Sequence, residues 1–227
     1  YTRVKKKYSQ LQIGLDIWGD IRVELQIPPS PNVDLTTPRW GRNSASSQTV
    51  ISNKGGLTPG ARRKAGAEIA KGDFEVIMSK LARDPKSGKI IEKIQIYTHS
   101  RGSAFGEGYT AQLMHMISEN AHRFENPNNV NDFSLNLAPH QSNSINAVKG
   151  VPTVGMSHIL DPLSGDDING AVNLVSNNGV HGNGSFVDEV SNFLSSFLSN
   201  EGQVSQSTID NFVTNMKKRG IDVKVSN

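Results

Sequence analysis

The chain has 227 residues, 35% of them hydrophobic and 20% charged, which suits one sizeable soluble core, alone or with an appendage, and argues against global disorder. No stretch approaches the roughly 18 apolar residues of a membrane-crossing helix, and the absence of cysteine excludes disulfides, thiolate chemistry and cysteine-based zinc sites. The net charge of +3 is spread along the chain; Lys5-Lys6-Lys7 and Arg62-Arg63-Lys64 read as solvated faces rather than a nucleic-acid patch, because no aromatic-rich stretch interleaves with them.

Residues 1–57 carry one readable strand, Arg22 to Ile27, stopped by Pro28-Pro29-Ser30-Pro31. From Asn32 to Gly56 the composition is polar and reads as a long loop. The expected division is therefore a loop-rich N-terminal segment, 1–57, and a folded domain, 58–227, with 201–227 as a helix–strand extension. Thr58-Pro59 looks like an N-cap followed by a first-turn proline, opening a helix to about Ala82, with Gly66 and Gly72 as points where it can break. Phe74, Ile77, Met78 and Leu81 fall at helical spacing on one stripe. Ile90 to Thr98 is the next strand, and a helix is expected from about Ser103 to Arg123. Phe133–Leu137, 151–159 and 170–176 are further strand candidates. Helices at 188–198 and 208–218 and a last strand, 221–225, complete the pattern. Alternating strand and helix predict an α/β fold, a mostly parallel sheet with helices on both faces.

The chemistry centres on Thr98-His99-Ser100-Arg101-Gly102, where a strand turns sharply into a helix. A serine at that point has the placement of a nucleophile elbow, in which the residues two before and two after the serine nearly touch and need small side chains. Gly102 fits; Thr98 departs from the usual glycine. A serine hydroxyl needs an imidazole to take its proton and a carboxylate to orient that imidazole. Asp161 follows one later strand and His181 follows the next, both where strand ends deliver side chains into a crevice. His181, in a Gly-rich loop, is preferred over His140 and His158, while His99 is expected to pack beside the elbow, and His115 and His122 to lie too far along the helix. Asp166 and Asp167 read as a solvated turn; Asp161 could also be no more than an Asp-Pro turn starter.

Thr98-His99-Ser100-Arg101-Gly102-Ser103-Ala104 resembles the Gly-His-Ser-Leu-Gly-Gly-Ala elbow of α/β-hydrolase lipases of the class 3 type, and Asp161-Pro162-Leu163 resembles the Asp-Pro-Val that carries their acid. The likeness spans about Arg62 to Leu198. It implies an α/β-hydrolase fold and cleavage of carboxylic esters, lipid or phospholipid, by Ser100, His181 and Asp161. It implies no cofactor or metal. One oxyanion donor would be the backbone N–H of Arg101, the second a group before Thr58, near Trp40-Gly41-Arg42 or Gly55-Gly56. A hydrolase domain that opens on Tyr1 rather than Met, behind a polar lead-in, also resembles the C-terminal effector domains of bacterial polymorphic toxins. That likeness implies secretion or delivery within a larger protein, contact with a membrane surface and a cognate inhibitor protein as partner. The alternatives are a catalytically silent α/β binding domain and a basic effector acting on nucleic acid.

Overall fold

A computed structural model describes residues 21–26, 47–52, 58–164, 167–179, 181 and 186–227. The fold is α/β. Seven strands form one sheet in the order β2-β1-β3-β4-β5-β6-β7. They are β1 (Ile21–Gln26), β2 (Ser47–Ser52), β3 (Ile94–His99), β4 (Asn131–Leu137), β5 (Thr153–His158), β6 (Val172–Ser176) and β7 (Val223–Ser226). The sheet is mixed: β3 through β6 run parallel, while β1 is antiparallel to both β2 and β3, and β7 is antiparallel to β6. β2 lies inside the polar stretch expected to be a loop. Its Thr49, Val50 and Ile51 are β-favouring, but three residues among Ser, Asn and Gly are too few to raise a periodic signal.

Among the described residues four α-helices cover the two faces: α1 (Pro59–Lys80), α2 (Gly102–Glu119), α3 (Val187–Ser199) and α4 (Gln206–Lys217). Alternation along the strands divides the core between them. Ile94 and Ile96 join Phe74, Ile77, Met78, Phe105, Tyr109 and Leu113 beneath α1 and α2. Tyr97, Phe133, Leu135 and Leu137 point the other way, into Phe193, Phe197, Phe212 and Met216 of α3 and α4. Every residue of β4 and β5 is buried, as expected of strands covered on both faces.

α1 begins as its sequence signals, with the Thr58 hydroxyl accepting the Ala61 N–H at 3.2 Å and proline in the first turn. It runs unbroken through Gly66 and Gly72. Gly66 is a contact residue: a Cβ there would lie 2.1 Å from the Phe105 carbonyl oxygen, and one on Gly108 would lie 2.0 Å from that of Arg63. These two glycines let the α1 and α2 backbones touch. That approach also overturns the solvated reading of Arg62, which is fully buried and donates to Gln141 Oε1 at 2.5 Å, while Arg63 pairs with Glu107 at 3.2 Å. Lys5-Lys6-Lys7 lies outside the described residues.

Candidate active site

β3 ends at His99, and the chain reverses into α2 within two residues. Ser100 makes the turn by adopting φ 52°, a left-handed backbone that a non-glycine residue takes at a cost of about 1–2 kcal/mol. The strain is held by hydrogen bonds on both sides. Ser100 N–H donates to the Leu137 carbonyl at 2.9 Å, and the Ser100 carbonyl accepts the N–H groups of Ser103 and His140, each at 3.1 Å.

Thr98 and Ser103 are the two positions that depart from the small residues of the hydrolase elbow, and the structure brings them together. Their hydroxyls lie 2.9 Å apart, and Thr98 Oγ1 donates to Asn136 Oδ1 at 2.7 Å. All three residues are buried. The extra bulk at Thr98 is therefore matched by a hydroxyl partner on the helix and an amide on the next strand, which ties β3, β4 and α2 at the turn.

Ser100 Oγ is 2.9 Å from His181 Nε2, and His181 Nδ1 is 2.7 Å from Asp161 Oδ2. A carboxylate only accepts, so Nδ1 carries the imidazole proton and Nε2 is left to accept from the serine hydroxyl. Asp161 and His181 arrive from the loops after β5 and β6, as the sequence order suggests. The side chain of Asp161 is fully buried, whereas that of His181 is 26% exposed, so the imidazole lies between a dry acid and an accessible serine.

Burial pushes the Asp161 carboxyl up, but the Ser164 hydroxyl at 2.5 Å, the Leu163 N–H at 2.9 Å and His181 together outweigh it. They hold the group below its ordinary 3.8. In sequence Ser164 looks like no more than the first residue of the turn that carries Asp166 and Asp167; a short polar residue three positions after an aspartate is the signal of this contact.

The remaining histidines fall outside this relay. His99 packs beside the elbow as expected, its Nε2 donating to the His181 carbonyl at 3.0 Å, and burial is the main reason its imidazole titrates below the usual range. His140 places Nδ1 3.3 Å from the Leu163 carbonyl; burial, then the charges of Arg62, Arg101 and His181, lower it as well. His158 is buried against Glu189. His115 lies on the exposed face of α2 beside Glu119, and His122 in the 3-10 turn after that helix. Asp167 is exposed and accepts from Ser226 at 2.7 Å, whereas Asp166 lies outside the described residues.

Arg101, exposed, leads into α2 with its backbone in the right-handed region, so its N–H sits at the positive end of the helix beside Ser100. The segments expected to supply a second donor, Trp40-Gly41-Arg42 and Gly55-Gly56, lie outside the described residues. Among the described residues no group of three or more His, Cys, Asp or Glu could hold a metal ion. No known protein family matches the sequence, and no curated protein matches it.

Proposed function

We propose that the chain is a serine hydrolase of the α/β-hydrolase superfamily, similar to class 3 lipases, that cleaves carboxylic esters of lipids or phospholipids. The observation that carries this reading is the unbroken Ser100–His181–Asp161 contact, 2.9 Å and 2.7 Å, built on a serine whose backbone is strained to φ 52°. A buried structural serine needs neither the strain nor the partners.

Ser100 Oγ attacks the ester carbonyl while its proton passes to His181 Nε2. The resulting imidazolium is stabilised by ionised Asp161, and the oxyanion by the Arg101 N–H. Collapse of the tetrahedral intermediate breaks the bond to the alcohol, which leaves with the proton from His181. Water then adds to the acyl-Ser100 carbonyl, with His181 again as the base, and releases the acid. A lipid substrate is supported by the apolar side chains that flank Asp161: Ile159, Leu160 and Leu163 are 69%, 74% and 50% exposed.

Hydrolysis of a short-chain p-nitrophenyl ester tests the reading. Turnover should fall about a thousandfold or more in Ser100→Ala and in His181→Ala, with far-UV circular dichroism unchanged. Folded wild-type protein without turnover of p-nitrophenyl or phospholipid esters would favour the silent binding domain instead.

A further inference from the structure

A second buried acid lies behind the relay. Glu189, in the first turn of α3, is 2% exposed, and its Oε1 meets three side chains: His158 Nε2 at 3.1 Å, Ser176 Oγ at 3.0 Å and Asn178 Nδ2 at 3.4 Å. His158 is the last residue of β5 and Ser176 the last of β6. From these strand ends the two functional loops depart, toward Asp161 and toward His181. The backbone repeats the linkage: Asp161 N–H donates to the His158 carbonyl at 2.9 Å, and Ile159 N–H donates to that of Ser176 at 2.9 Å. The His158 ring also stacks on Phe186 at 4.0 Å and 10°, and Phe186 is the residue at which the His181 loop re-enters α3. One carboxylate oxygen thus gathers the root of the acid loop and the root of the base loop, beside the ring that meets the point where the base loop returns.

Stability does not explain this choice. Removing a carboxylate and an imidazole from water is costly, and apolar residues of similar volume commonly replace such buried pairs without loss. Glu189 Oε2 is moreover buried with no hydrogen-bond partner among the described residues. The relay, in contrast, depends on the separation of the two loops, since a shift of about 1 Å between reacting groups can cost about a hundredfold in rate.

We propose that Glu189 is a positioning residue that fixes the Asp161 and His181 loops against one another through His158 and Ser176. The kinetic part of this proposal rests on the hydrolase reading; the geometric part does not. Two substitutions separate the roles. Glu189→Gln keeps an acceptor oxygen for His158, Ser176 and Asn178, whereas Glu189→Met fills the volume with none. The readouts are kcat and KM on a p-nitrophenyl ester, the melting temperature, and the low-field proton resonance of the His181 Nδ1–H···Asp161 bond.

Glu189→Met should lower kcat about 10- to 100-fold at unchanged KM and broaden or abolish that resonance, and it should also lower the melting temperature, because the buried His158 and Ser176 lose their acceptor. Glu189→Gln should keep kcat close to wild type, within about 1.5-fold, and retain the resonance. Ser176→Ala, which removes one of the three contacts, should lower kcat in the same direction by about threefold, and it decides the matter if the methionine variant does not fold. Wild-type kcat and resonance in Glu189→Met, or in Ser176→Ala when that variant stands alone, would overturn the proposal. So would equal loss of activity and melting temperature in the methionine and glutamine variants. If no form turns over ester yet the resonance responds as stated, the positioning role stands and the hydrolase reading falls.

Discussion

Ser100 pays a conformational cost that a structural residue could avoid, and the size of that cost is measurable. Ser100→Ala and Ser100→Gly both remove the hydroxyl, but only glycine tolerates φ 52° freely. Relief of left-handed strain outweighs the extra chain entropy of glycine, so the glycine variant should be more stable than the alanine variant by up to about 1 kcal/mol in urea unfolding. A glycine variant less stable than alanine would contradict the strain. Asp161 makes a second residue-level prediction. Its carboxyl titrates below 3.8 in the folded protein, so its contribution to stability is complete above that ordinary value and fades as pH falls through the lowered folded one. Asp161→Asn cannot titrate. The stability gap between wild type and this variant should be widest near about pH 7 and shrink toward about pH 3, read from urea midpoints at each pH. A gap that does not change with pH would show that the charge of Asp161 is not what the loop stabilises.

Between elements, the contact that sets the α1–α2 distance is backbone on backbone, and it predicts opposite signs for two glycines of one helix. Gly66→Ala would drive a methyl group into the Phe105 carbonyl, whose unsubstituted Cβ position is already 2.1 Å away; since a main-chain atom cannot rotate aside, the helices must separate, at about 2 kcal/mol or more. Gly72→Ala, with nothing within 4 Å, should stabilise by about 0.5–1 kcal/mol through helix propensity. Equal effects at both sites would refute the close approach. In sequence the two glycines look alike, as candidate breaks, because what distinguishes them is a neighbour more than thirty residues away. Thr98 and Ser103 show the same limit. Each looks like a fault in the elbow, and only the packing of α2 against β3 and β4 reveals that they satisfy one another, with Asn136 as third partner.

At the scale of the molecule, the parallel centre of the sheet does the assembling. β3, β5 and β6 point their C-terminal ends the same way, so Ser100, Asp161 and His181 converge though they lie on separate loops, with β4 between the first two contributing Leu137, and the turn after it His140, to the elbow. This part was legible because strand, turn and loop residues carry local signals in chain order. Glu189 was not: an acid in the first turn of an amphipathic helix is the ordinary complement of the helix dipole, and nothing local says that it turns inward to His158 and Ser176. β2 was missed for the opposite reason, its few β-favouring residues being diluted by polar neighbours. The central claim is that this assembly activates one serine, and a fluorophosphonate probe tests it most directly, because such probes form a Ser Oγ–phosphorus bond and expel fluoride only where the hydroxyl is activated. Labelling of the folded protein followed by peptide mapping should place the whole modification on Ser100, with none on Ser100→Ala and a slow residue on His181→Ala. Folded wild-type protein that takes no label, or takes it at another serine, would contradict the account.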